Sequence, residues 1–159
     1  MAVDIFVKLE GIPGESRDSR FKDCIEAEGI SWGAMMQLVD SRSNGWQVSG
    51  RGTVEPLILT RRTDKATPKL FEYNLTAKPI PEVRITFNRA TGDKQKFFEI
   101  LLKNAVVSRI SFDAGMNGLP SERIELAAGE YSVTYTETDQ KTGLPKGEVM
   151  FQWSATSNS

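Results

Sequence analysis

The opening stretch Ala2 to Ser16, AVDIFVKLEGIPGES, sets an alternating segment against a Pro-Gly turn and a polar exit. Val3, Ile5, Val7 and Leu9 are interleaved with Asp4, Lys8 and Glu10. Successive side chains of a strand point to opposite faces, so this spacing predicts a half-buried strand. A secretory leader would need a basic head and an unbroken apolar run, and neither is present, so the fold is expected to begin at residue 2.

Working outward, period-two alternation between turn clusters dominates and helical periodicity is nearly missing, which predicts a mainly β domain. A loop from Ile12 to Arg20 leads into a long strand from about Phe21 to Leu38, with Gly29 and Gly33 marking bends. Asp40 to Gly52, DSRSNGWQVSGRG, is dense in turn formers around its lone Trp46 and reads as a protruding loop. Thr53 to Arg62 returns to strand character, and Pro56 marks a free edge or bulge within it.

One helix is expected. Thr67 is placed to cap it, Pro68 suits its first turn, Phe71 and Leu75 fall on one face, and Pro79 and Pro81 end it. Strands follow at Val83 to Phe87, Lys96 to Phe112 and Glu122 to Thr138, with turns at Thr91-Gly92-Asp93 and Asn117-Gly118. Adjacent apolar residues in Ile100 to Leu102 and Ala105 to Val107 put protein on both faces of their strand, which makes it central or part of a subunit interface. After the turn Thr142 to Pro145, Val149, Phe151 and Trp153 alternate with Met150 and Gln152, and Ser154 to Ser159 should fray. The total is about seven or eight strands and one helix in a curled sheet or barrel, a single domain spanning residues 1–159.

The 159 residues, 39% of them hydrophobic, suffice for one core. Lys and Arg total 20 against 21 for Asp and Glu, so no overall field draws the chain to nucleic acid or to anionic lipid. Cys24 stands alone, no apolar run is long enough to insert in a membrane, and both facts suit a reducing compartment. Histidine is absent, which removes the commonest general base and zinc ligand, and no cofactor or metal motif appears.

Several groups invite a functional reading beside a plainer one. Glu26 and Glu28 share a strand face, but a carboxylate pair needs a cleft that raises one pKa before it cleaves a glycosidic bond; a solvated face is the plainer account. Cys24 has no imidazole to deprotonate it, and the scattered Asp4, Asp64, Asp113 and Asp139 lack calcium-loop spacing. Trp32 and Ile30 occupy one strand face while Gly29, Ser31 and Gly33 occupy the other, a small polar trio facing water or a partner. Trp46 either folds back on its own domain or anchors into a neighbour. Arg61, Arg62, Asp64 and Lys65 form a mixed-charge group beside the helix start, either a solvated face or a register for stacked subunits.

The opening strand and Pro-Gly turn, with Ile30-Ser31-Trp32-Gly33, Asp64-Lys65-Ala66-Thr67-Pro68 and Val106-Val107-Ser108, resemble the haemolysin-coregulated protein (Hcp) family, the tube subunit of bacterial type VI secretion systems. The likeness runs in order along nearly the whole chain. It implies a small barrel of two sheets with one flanking helix that assembles into hexameric rings, and rings that stack into a tube. In the family the loop after Ser-Trp-Gly reaches the adjacent ring, which assigns Ser41, Arg42, Asn44 and Trp46 to stacking. It favours the lumen wall for Gly29, Ser31 and Gly33, and within such an assembly the mixed charges Arg61, Arg62, Asp64 and Lys65 are candidates for contacts between rings.

The implied partners are copies of the chain, sheath and spike proteins and effectors carried in the lumen. The implied location is cytoplasmic before firing and extracellular, or in a target cell, afterwards, without a signal peptide. The loop's own chemistry, a tryptophan and two arginines, departs from the family pattern. The competing readings are a carbohydrate-binding β-sandwich with Trp46 as a sugar platform, and an enzyme working through Glu26 and Glu28 alone.

Overall fold

A computed structural model describes residues 2–43, 45–90, 94–157 and 159. The expected turn at Thr91-Gly92-Asp93 and the site residue Asn44 lie outside the described residues. The elements are β1 (Val3–Leu9), β2 (Ile25–Ala27), β3 (Gly29–Ser31), β4 (Ala34–Ser41), β5 (Gly45–Val54), β6 (Leu57–Arg62), α1 (Thr67–Leu75), β7 (Ile80–Arg89), β8 (Lys96–Asp113), β9 (Ser121–Thr138) and β10 (Pro145–Ser154). The fold is mainly β with one helix, as the sequence predicts, but it holds more strands than expected because two long segments are broken.

All strand pairing is antiparallel, in the order β2-β1-β7-β8-β9-β6-β3, with β10 also on β9 and with β4-β5 as a separate two-stranded sheet. β8 and β9, 18 residues each, run through both layers of the barrel. The early part of β8 pairs with β7, the early part of β9 with β6, and the late part of β9 with β10. Strands that serve two sheets must bend, and β8 does so at Asn104, whose φ of 53° lies in the left-handed region, and at a bulge between Val107 and Arg109. β8 is therefore the central strand that its doubled apolar runs predict.

The predicted strand from Phe21 to Leu38 is instead β2, β3 and β4. Phe21 sits in a turn, its ring stacked on Phe6 at 4.4 Å. β2 pairs with β1, β3 pairs with β6, and the Glu28 amide donates to the Thr60 carbonyl between them at 2.8 Å, so this segment nearly closes the barrel. The change of partner is the physical reason for the break. Gly29 suits this crossing, since a β-carbon at that position would sit 2.8 Å from Thr60 Oγ1 and force that hydroxyl to shift. Likewise, Pro56 lies in a gap between β5 and β6 rather than inside one strand.

Val7, Leu9, Ile25, Leu57, Leu59, Ile85, Leu102, Ile124 and Leu126 converge in the core from both layers. Each such side chain contributes about 1.5–3 kcal/mol when withdrawn from water. Helix α1 lies against β8 but presents Leu70 and Tyr73, not Phe71 and Leu75; Leu75 is 82% exposed. The side chain of Asn74 fixes this orientation by donating to the Val107 carbonyl at 2.8 Å. Thr67 is the first helical residue rather than the cap. Asp64 organises the entry, its Oδ1 accepting from the Ala66 amide at 2.8 Å while its own amide donates to Thr67 Oγ1 at 3.2 Å.

Candidate assembly surfaces

The segment predicted as a loop, Asp40 to Gly52, belongs to a β-hairpin made by β4 and β5. Its register pairs Met36 with Gly52, Leu38 with Val48, Asp40 with Trp46 and Ser41 with Gly45. One face of this arm therefore carries Met36, Leu38, Trp46 and Val48. Leu38 and Val48 are directly opposed, while Trp46 lies opposite Asp40 and Met36 opposite Gly52; a directly opposed apolar pair contributes roughly 0.2–1 kcal/mol. The signal in the sequence is the same two-residue spacing on both sides of the turn, Met36 and Leu38 before it and Trp46 and Val48 after it.

All four of these side chains are exposed, and Trp46 is 72% accessible. Trp46 does not fold back on its own barrel, which removes one of its two sequence readings. Ser41 closes the arm's strand pairing opposite Gly45, its hydroxyl 3.3 Å from that of Ser43, and Arg42 is exposed in the turn. Met35 and Val39 are exposed on the opposite face.

At the base of the arm the chain divides as its alternation predicts. Ile30 and Trp32 pack against the core, and the Trp32 ring stacks on Tyr131 at 5.7 Å while its indole N–H donates to the Glu55 carbonyl at 3.1 Å. Ser31 is exposed, and Gly29 and Gly33 are half-buried on that other face.

The charged group at the helix start splits in two. Arg62 and Lys65 are exposed, and Arg62 Nε meets Glu28 Oε1 at 2.8 Å, so Glu28 is occupied by an ion pair while Glu26 is solvated. Arg61 is 2% exposed and is corrected from a surface charge to an interior one. Its guanidinium touches Asp64 Oδ1 and lies 3.1 Å from Glu122 Oε1, and its Nε donates to the Arg62 carbonyl at 3.0 Å. The Glu122 contact is charge proximity, since Glu122 Oε1 lies off the N–H direction. Burial pushes the Glu122 carboxyl above the usual glutamate range, against the opposing pull of Arg61 and of the Thr67 hydroxyl.

Sequence reasoning missed Glu122, yet parity marks both partners. Arg61 shares the inward face of Leu57 and Leu59, and Glu122 that of Ile124 and Leu126. Burial also pushes the Cys24 thiol up, which leaves it a poor nucleophile. Among the described residues no group of three acidic or cysteine side chains is arranged to hold a metal, and no helix is long and apolar enough to cross a membrane.

A further surface lies at the other end of the molecule. Among the described residues β10 joins the sheet only through β9, so its outer backbone edge is open up to Ser154, where the chain end at Ser159 bonds to it. Its inward-facing row is Val149, Phe151 and Trp153, opposite Tyr135, Val133 and Tyr131 of β9. Trp153 and Tyr131 are covered by the core, whereas Tyr135, Val149 and Phe151 extend past it into solvent. The alternation is legible in the sequence, but its exposure is not, because that depends on where the second layer stops.

A nearly closed barrel that holds out an apolar hairpin at one place and an open apolar edge at another is a subunit built to associate, a structural β-barrel protein. Comparison with known proteins narrows the class. Residues 6–135 match the family model described as type VI secretion system effector, Hcp, and the chain belongs to that family. It is 29% identical to protein hcp1 of Pseudomonas aeruginosa over 99% of this chain and 98% of that one. A solved structure described as a type six secretion system protein superposes with a TM-score of 0.91 at 27% identity, covering 99% of both chains. The crystal structure of Hcp1 from Salmonella typhimurium shares the fold with a TM-score of 0.82 at 24% identity, over 99% of this chain and 98% of that one. The chain is thus a secreted tube subunit of a type VI secretion system, and nothing in these matches supports the carbohydrate-binding reading.

Proposed function

We propose that this chain acts without catalysis, by closing side by side into a six-membered ring whose copies stack through the β4–β5 arm. The carrying observation is the arm itself, a hairpin whose apolar face, with Trp46 72% accessible, has no cover from its own barrel. A contact between different patches closes when its rotation returns to the start, and otherwise it propagates as a filament. The first kind makes a ring and the second a tube.

In this reading Ser41, Arg42, Asn44 and Trp46 make the stacking contact, and Gly29, Ser31 and Gly33 line a lumen wide enough for effector proteins. Of the charges beside the helix, Arg62 and Lys65 are placed to set the register between rings, while Arg61 and Asp64 act from within the fold. Sheath and spike proteins complete the machine, which holds the subunit in the cytoplasm until ejection.

Trp46→Ala tests the arm. Negative-stain images should show single rings with few or no stacks, where the parent gives tubes. Equal tube formation by the variant and the parent would remove the arm from the stacking contact.

A further inference from the structure

We infer that the open edge of β10, with Tyr135, Val149 and Phe151, is the seat for the β4–β5 arm of a second copy. The inference rests on the stacking role proposed for the arm and identifies what the arm lands on. Both surfaces expose apolar side chains on paired strands, and each presents them at every second position along a strand. Their repeats match, because the two-residue spacing is about 6–7 Å on any strand.

The backbone supplies a second complement. β10 lacks a partner on its outer side, and each arm strand lacks one on the side away from its hairpin mate. Pro145 and Lys146 blunt only the start of β10; beyond them every second amide points away from β9, and that edge runs as far as Ser154, whose amide donates to the Ser159 carbonyl at 2.8 Å. An added strand would gain ladder hydrogen bonds and bury the Val149 and Phe151 row in one step.

Charge decides between the arm and other occupants. The arm carries Arg42 and Arg51 against Asp40, a positive excess. Residues 130–154 carry Glu130, Glu137, Asp139 and Glu148 against Lys141 and Lys146, a negative excess. Joining β10 to β10 of another copy would bring like-signed surfaces together, whereas the arm brings the opposite sign.

The test uses the full chain in a Cys24→Ser background. One preparation carries Val48→Cys on the arm and a second carries Phe151→Cys on β10; they are mixed and treated with a short bismaleimide. A third, Lys69→Cys on the exposed side of α1, is the control. The arm and β10 chains should join at least about tenfold more than either joins the control, the ratio that roughly 1.4 kcal/mol of contact produces. Phe151→Asp, at a side chain 59% exposed, should keep single rings and lose tubes.

If the parent stacks into tubes but arm and β10 chains do not cross-link, the inference fails while the tube reading stands. Cross-linking of Phe151→Cys chains to one another in place of the arm, or loss of rings as well as tubes in Phe151→Asp, would also overturn it by giving β10 a different partner. A parent that stays monomeric at all concentrations would defeat the stacking reading, and the inference with it.

Discussion

Arg61→Met is the sharpest perturbation of the fold. Arg61 is 2% exposed and Glu122 is 3% exposed, so removing the guanidinium strands a carboxylate in the interior opposite a methionine. Breaking one side of a buried pair costs about 3–5 kcal/mol, because the remaining charge keeps its desolvation penalty and loses its counterion. With a urea slope of about 1–3 kcal/mol per molar, the unfolding midpoint should fall by roughly 2 M. The assay is urea denaturation followed by tryptophan fluorescence, at one fixed protein concentration because assembly adds stability by mass action.

The same variant carries a pH signature whose sign is fixed by Glu122. Its folded pKa already lies above the ordinary glutamate value, so the folded state binds that proton more tightly than the unfolded chain. The group's contribution to stability therefore improves as pH falls through the folded value and levels off below the unfolded one. Without Arg61 the folded value rises further, so the deficit of Arg61→Met should be greatest near neutrality and shrink on acidification. The double variant Arg61→Met/Glu122→Leu should recover the part of the loss that belongs to Glu122, since an apolar pair replaces that buried ion pair at little or no cost, while Asp64 still lacks its counterion. A single-variant deficit below about 0.5 kcal/mol, the range of ordinary surface substitutions, would refute this account. So would a deficit that grows in acid.

Two further substitutions probe the backbone. Ala77 follows α1 at φ 52°, with its amide donating to the Asn74 carbonyl and Lys78 donating to that of Tyr73; Ala77→Gly should stabilise by about 1 kcal/mol and raise Tm by roughly 2–4 °C, and an unchanged or lower Tm would count against it. Gly14 leaves no room for a β-carbon, which would fall on the Cys24 carbonyl, so Gly14→Ala should cost about 1–3 kcal/mol in urea unfolding, and a neutral result would mean that the Gly14–Cys24 approach is looser than described.

What the sequence revealed, and what it hid, follows one line. Alternation on β1 and β7 is visible because one face meets the core along most of the strand, so Val7, Leu9, Val83 and Ile85 announce themselves. The break between β2 and β3 was invisible because a change of hydrogen-bonding partner alters no residue preference; only Gly29 hinted at it. The helix face was misjudged because Phe71 and Leu75 are the larger pair at a four-residue spacing, whereas packing against β8 selected Leu70, Tyr73 and the amide of Asn74. The charge of Arg61 predicts a surface position. Strand parity opposed that assignment and was right.

The two surfaces proposed to carry assembly differ in how they are supported, and that difference bears on how tubes would grow. β10 is an extension of the barrel, backed by β9 and anchored by Trp153 against the core, so it keeps its shape as a free subunit. The arm is a lone two-stranded hairpin, a form that is marginal in water without a third strand or a packed face. In the proposed contact it would gain order on docking, and the ordering would subtract from the strength of each contact. A ring presents several arms at once, so after the first docks the others bind at high effective concentration. Stacking built this way is weak between single subunits and strong between whole rings. Rings would then have to close before tubes can grow, and isolated subunits would be kept from forming stray filaments.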